Sequence, residues 1–447
     1  MNTASYSEQR RHVLQKAQLT MVNGALTHHQ RSSDAGSSAR VFERGYWGFA
    51  AAPGEAAADV LAQAQRNAQA MARFGQATDH PALPSAAHVG HHAIQGKPAL
   101  TSAQCIERLQ ALHAQCHRLM PGLQSLRLML QEEVHQKHVR NSLGADAQVE
   151  IRRGVLYIIP VMLGEDGKPV ELWQRLSARG SAADLDWDEA RLQSVLTRLY
   201  EHLQAKRVAV PARGGEHVVV MGPALAGILA HEAMGHPCEG DIVLGGSATA
   251  ALLGQQVASP LVTMVDHAHQ AFGREAMMPV YADDEGCPAS DAVLIDKGVL
   301  KGFMHSRETA ARLGMATTGS ARAYAPGDEP LVRMRNTYIH PGSSKLQTMI
   351  EGVEDGYLLL ETTNGQADTT TEFMFGIGLG YEIKNGRIGR AIRDTTVSGQ
   401  AIKVLSAVDA VSDDCEISSV GYCGKKQVMP VSMGGPALRT RAQLGGV

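Results

Sequence analysis

His231, Glu232 and His236 fall within six residues of one another in the segment GPALAGILAHEAMGHPCEGD, Gly222 to Asp241. Two neutral imidazoles can hold a divalent zinc ion, and a carboxylate beside them can take a proton from metal-bound water, the chemistry of a zinc hydrolase. The segment reads as a helix. Gly222 suits the cap, Pro223 suits the first helical position, and Leu225, Ile228, Leu229 and Met234 supply a buried face. Pro237 stops it near His236. The spacing His-Glu-x-x-x-His is unusual, because residues five apart sit roughly 140° from each other on a regular α-helix. Both rings reach one ion only if the helix widens, so the pattern predicts a local π-bulge, with Gly235 making the distortion cheap. Glu239 and Asp241, three and five residues past His236, have two equal readings: acceptors for a ligand imidazole N–H, or helix-end and loop salt-bridge residues.

The elements around this helix read as an α+β protein. Residues 1–50 are mainly β, with Gly45 and Gly48 marking a turn or bulge in SSARVFERGYWGFA. An Ala-rich helix is expected over Glu55 to Phe74, then a connection over Thr78 to Pro98. That connection carries His80, His88, His91 and His92 without a ligand spacing, so it reads as a solvated loop. A second helix runs from Thr101 to Met120, with Cys105 and Cys116 as small core residues. Two or three strands follow between Leu123 and Gly164, then a third helix over Asp188 to Lys206. The domain boundary is placed at about residue 207, giving an N-terminal mixed domain (1–206) and a β-rich C-terminal domain (207–447). In the latter, hairpins are expected at Asp296-Lys297-Gly298 and Asn385-Gly386, and a helix at Gln347 to Val353.

Composition narrows the function. The chain has 447 residues and 42 Lys+Arg against 45 Asp+Glu, a net charge of −3, which gives no support to nucleic-acid binding. The first residues lack a secretory apolar core and no run of 18 apolar residues occurs, so a membrane role is not expected. Six cysteines without a CxxC pair are too sparse for a disulfide scaffold. A cytoplasmic protein is expected.

HEAMGHPCEGD resembles the zinc signature of the TldD/PmbA family of metallopeptidases. The resemblance continues in order through DDEGCP (Asp283 to Pro288), VLIDKGVLKGFM (Val293 to Met304), RMRNTYIHPG (Arg333 to Gly342), GQAD (Gly365 to Asp368) and GYCGKKQVMPVSMGGPALR (Gly421 to Arg439). In the first half, ARVFERGYWGFAA is similar to the family's strand pair. The resemblance implies His231 and His236 as metal ligands, Glu232 as the catalytic glutamate and Cys423 as the third ligand, with one Zn2+ per active chain. Two histidines and a thiolate leave a fourth tetrahedral position open.

Neighbours also favour Cys423 over the other cysteines. Cys238 is too close to His236, Cys287 and Cys415 follow acidic runs, and Cys423 lies between Gly421 and Gly424 near Lys425 and Lys426. The chain departs from the family pattern in Tyr422 and in a short, irregular segment ahead of residue 40. The resemblance further implies a peptidase of unfolded peptides and small labile proteins, and a dimer, either with itself or with a motif-lacking relative. A non-catalytic or regulatory subunit and a zinc amidohydrolase of small molecules are the competing readings. An older family label, modulator of DNA gyrase, is read as an indirect reflection of such proteolysis, since this chain has no basic patch with which to bind DNA itself.

Overall fold

The computed structural model describes residues 6–54, 59–75, 80–94, 96–367 and 370–445. Its first sheet is built on β1 (Tyr6–Val22), β2 (Ala25–Glu43), β3 (Tyr46–Pro53), β4 (Val89–Ala93), β5 (Ser125–Asn141) and β6 (Asp146–Leu163), in the order β3-β2-β1-β5-β6-β4. Two shorter strands, Pro169–Glu171 and Gln174–Arg179, also pair with β6. β1 and β5 each run 17 residues, about 57 Å at strand rise. No single core can cover that length, and the buried face changes along it. Glu8, Arg10, His12 and Leu14 are buried on one side of β1, whereas Leu19 and Met21 are buried on the other.

At the Leu19 end the sheet packs under α2 (Ser102–Leu119) and α3 (Glu189–Arg207), in a core that includes Leu109, Cys116, Leu128, Leu156, Leu196 and Leu203. Cys105 and Cys116 are buried there, as expected, and α2 starts with a Thr101–Gln104 capping box. At the Glu8 end the sheet meets the second half of the chain through charges. The Arg40 Nε–H donates to Glu8 Oε1 at 2.6 Å and its Nη2 reaches Glu285. The Lys137 ammonium donates to Asp284 at 2.7 Å and to the Ala323 carbonyl at 2.8 Å, and Arg10 donates to the Asp328 carbonyl at 2.7 Å.

Two expectations for the first half are corrected. The expected β character of residues 1–50 holds from Tyr6, but the segment read as irregular ahead of residue 40 is there a regular β1–β2 hairpin, turning at Asn23 and Gly24 with φ of 50° and 80°. The 78–98 connection contains β4, a parallel edge strand that the backbone of β6 templates, since VGHHA has no apolar alternation of its own. A helix lies where the Ala-rich run predicted it, at α1 (Val60–Phe74); the expected start at Glu55 lies outside the described residues.

The second half is β-rich. A six-stranded sheet has the Glu416–Lys425 strand at its edge, next to Gln427–Gly435, then Asn336–Ile339 and Met264–His267. In a second sheet, strands Asp355–Ala367, Gly215–Met221, Leu438–Leu444, Thr395–Gln400 and Glu372–Lys384 pair in turn, and the last pairs back onto the first, closing a ring. Both expected hairpins form, with positive φ at Lys297-Gly298 and at Asn385-Gly386. The expected helix near residue 350 spans Leu346–Glu351. Among the described residues, no helix is long and apolar enough to cross a membrane.

The segment from Pro223 lies between the two sheets, and Leu225, Ala226, Leu229, Ala230 and Ala233 are fully buried in their shared core. The approach is close. A Cβ at Gly227 would lie 2.5 Å from the Gly434 backbone nitrogen. Gly227→Ala therefore pushes the helix off its strand, and a loss of about 1–3 kcal/mol is expected. The readout is a lower denaturant midpoint at unchanged m value; an unchanged midpoint would show that the helix has room to move.

Candidate metal centre

The helix begins as α over Pro223–Ile228 and widens to π over Leu229–Gly235. Its defining bond is the His236 N–H donating to the carbonyl of His231, five residues back. The wide turn brings the two rings onto one side, with centroids 5.0 Å apart and planes at 79°. Gly235 is not needed for backbone freedom, as its φ of −63° and ψ of −56° suit any residue. It is needed for space. A Cβ there would lie 2.2 Å from Met334 Sδ, and Met334 is fully buried.

Cys423 arrives from the edge strand Glu416–Lys425, with its Sγ 3.1 Å from His236 Nε2. One donor atom each from His231, His236 and Cys423 lies within 4.8 Å of the others. Burial alone would raise the Cys423 thiol, but the imidazoles of His231 and His236 outweigh it and bring it down to about 5. Burial raises the other five cysteines instead, Cys238 to about 12 and Cys415 to about 11. Nδ1 of His231 is buried and lacks a hydrogen-bond partner among the described residues. A ready thiolate and two imidazoles, one of them with a buried ring nitrogen lacking a partner, are a donor set that fits zinc.

The carboxylates divide by position. Glu232 Oε2 stands 3.7 Å from His236 Nε2 and its side chain keeps 18% exposure, so it borders the open side of the cluster. Glu239 is fully buried and meets His236 Nδ1 at 2.9 Å, which leaves Nε2 facing the cluster. Burial opposes its charge, yet His236 and Lys425 hold the Glu239 carboxyl down at about 2. The same carboxylate, with the thiolate, lifts His236 to about 10 against burial. Asp241 goes elsewhere, pairing with Lys425 Nζ at 2.9 Å. Of the two acceptor candidates, Glu239 meets the imidazole and Asp241 forms a salt bridge from the short helix Gly240–Leu244 to the ligand strand.

Sequence reasoning missed three contacts. Lys425 bridges Glu239 and Asp241 directly, rather than acting only as nearby charge on the thiol. The Tyr422 hydroxyl donates to Glu133 of β5 at 2.9 Å and accepts from Arg153 of β6 at 3.2 Å, tying the ligand strand to the first sheet. Arg333 donates to the carbonyl of Cys423 itself at 2.9 Å. Each partner lies tens to hundreds of residues away, beyond any local signal. A second acidic group, Asp283, Glu285 and Cys287, is already committed. Asp283 accepts from the N–H groups of Glu285, Cys287 and Ala321, and Glu285 accepts from Arg307 N–H and pairs with Arg40. In the GQAD motif Gly365 runs tightly over Ile228, and Asp368 lies outside the described residues.

A profile of the PmbA/TldA metallopeptidase C-terminal domain matches residues 214–445. A metalloprotease of Archaeoglobus fulgidus is 31% identical over 437 residues, 96% of each chain. The zinc metalloprotease TldD homolog of Saccharolobus solfataricus is 30% identical over 339 residues, 75% of each chain. The crystal structure of TldE from Thermococcus kodakarensis superposes with a TM-score of 0.77 at 17% identity, covering 99% of this chain and 97% of that one, a likeness of fold.

Proposed function

Because the chain belongs to the PmbA/TldD family of metallopeptidases, we propose that it is a zinc-dependent peptidase that cuts unstructured peptides and small labile proteins. The observation that carries this reading is the convergence of His231, His236 and Cys423 within 4.8 Å, with the Glu232 carboxylate alongside. Zinc held by those three residues would supply a Lewis acid for the peptide carbonyl. Glu232 takes a proton from the attacking water and returns it to the leaving amine. Glu239 accepts from His236 Nδ1–H, fixing the ring with Nε2 toward the ligand cluster.

The Glu416–Lys425 strand pairs only with Gln427–Gly435 among the described residues, so its outer main-chain groups can take an extended peptide as an added strand beside Cys423. Such binding reads backbone rather than side chains and requires several residues free of their own fold. The six free cysteines, one of them a ligand thiolate, suit a reducing compartment, and we place the protein in the cytoplasm. As the resemblance implies, it works as a dimer, with itself or with a motif-lacking relative.

The test is metal content and cleavage by the chain purified alone. About one zinc per chain is expected, with activity lost to a chelator and restored by zinc. A compact folded protein should resist cleavage while the same polypeptide, unfolded, is cut. Equal rates on both forms would remove the added-strand reading. A zinc-loaded protein inert on disordered casein would instead favour a non-catalytic subunit, and cleavage of small amides alone a small-molecule amidohydrolase.

A further inference from the structure

The strand that delivers Cys423 is paired by its own sheet on one side only among the described residues. It lies at an edge, and its hairpin partner is reached through a tight turn in which Lys426 has a φ of 58°. A metal ligand on such a strand needs support from elsewhere, because a ligand atom displaced by an ångström no longer fits a tetrahedral site. Two cations supply it, and they cross. Arg333, with no exposed surface, sends Nη2–H to the Cys423 carbonyl at 2.9 Å and Nη1–H to the Gln427 carbonyl at 2.8 Å, with Lys425 O at 3.4 Å. One planar guanidinium thus spans both strands of the hairpin at its tip. In the opposite direction, Lys425 sends its ammonium to the carbonyl of Val332, the residue before Arg333, at 2.6 Å. The same ammonium meets Glu239 Oε2 at 3.0 Å, and that oxygen is the partner of His236 Nδ1.

We propose that Arg333 and Lys425 form a crossed brace that positions two of the three metal ligands at once, Cys423 through its own carbonyl and His236 through Glu239. Both are positioning residues; neither touches the donor cluster. The proposal rests on the ligand assignment above. It explains the residue types. A planar fork holds two carbonyls on different strands in a fixed geometry from separate nitrogens, whereas the bridge from Val332 O to Glu239 and Asp241 suits a compact ammonium with several freely turning donors. Arg322 repeats the device one layer away, donating to the Met334 carbonyl at 2.5 Å and to Pro430 O at 3.0 Å, so the hairpin is laced to the 332–334 segment at two levels.

The test uses the full chain loaded with cobalt(II), whose thiolate-to-cobalt absorption reports the Cys423 bond, together with zinc affinity measured against a competing chelator. Arg333→Lys keeps the charge and removes the fork. Lys425→Met, at a partly exposed position, cuts the reciprocal tie and remains informative should the buried Arg333 variant fail to fold. With thermal midpoint and near-UV dichroism close to wild type, each variant is expected to lose 10- to 100-fold in zinc affinity, the usual cost of removing a group that orients a ligand. The charge-transfer band should weaken or shift, and lysine at 333 should not restore it. Folded variants with wild-type affinity and spectrum would overturn the brace and leave the ligand assignment standing. A wild-type cobalt protein with no thiolate band would overturn the assignment and the brace with it.

Discussion

Glu232→Gln should retain zinc at the wild-type level and lose about 10²–10⁴-fold in kcat/KM on a disordered peptide. The amide has nearly the same shape and sits beside the cluster of donor atoms, so metal retention is expected. What the amide lacks is a basic oxygen. A loss of that size corresponds to roughly 3–5 kcal/mol of transition-state stabilisation, at about 1.4 kcal/mol per decade. Glu232 is placed for the task by the same widened turn that aligns the histidines, since it follows His231 directly on the π segment. A variant that cuts within twofold of the wild-type rate would show that proton transfer runs through another group.

Cys423→Ala removes a donor whose thiol is already held near pH 5 by two imidazoles, and leaves those imidazoles and Glu239 arranged around a gap. Zinc affinity is expected to fall at least tenfold and peptide cleavage to be abolished. Cys238→Ala and Cys415→Ala should keep wild-type zinc stoichiometry, because burial raises both thiols and neither joins the donor cluster. Metal content after dialysis against a weak chelator separates these outcomes. Full occupancy in Cys423→Ala would reassign the third ligand.

The helix and its distortion were readable because every signal was local: Pro223 at the start, an apolar face, a five-residue gap between histidines and Pro237 at the end. Cys423 could be singled out from its neighbours, although its distance to His236 depends on chain 187 residues away. The role of Gly235 was misjudged, since the side chain that excludes a Cβ, Met334, is remote in sequence. The β1–β2 hairpin shows another limit. Asn23-Gly24 is a strong turn signal, but the strand beyond it opens with LTHHQRSSD, exposed and polar with no alternation to declare it. Such a strand exists because β1 pairs with it from Tyr6 to Val22. The crossed contacts of Arg333 and Lys425 left no local trace, because a carbonyl acceptor looks the same in every residue.

The charged end of the first sheet has a consequence for how the chain is made. Arg40 is synthesised 245 residues before its partner Glu285, an interval of roughly 12–50 s on a ribosome adding about 5–20 residues per second. Until Asp284, Glu285, Ala323 and Asp328 are made, Arg10, Arg40 and Lys137 lack the second-half acceptors that later enclose them. An apolar face of that size would seek any neighbour during the wait. A face of guanidinium, imidazole, ammonium and carboxylate groups is content in water and bonds poorly to strangers, so the half-made sheet can idle without aggregating. The later withdrawal of those charges from water is favourable only when the whole set of acceptors arrives together, which ties closure of this interface to completion of residues 283–328.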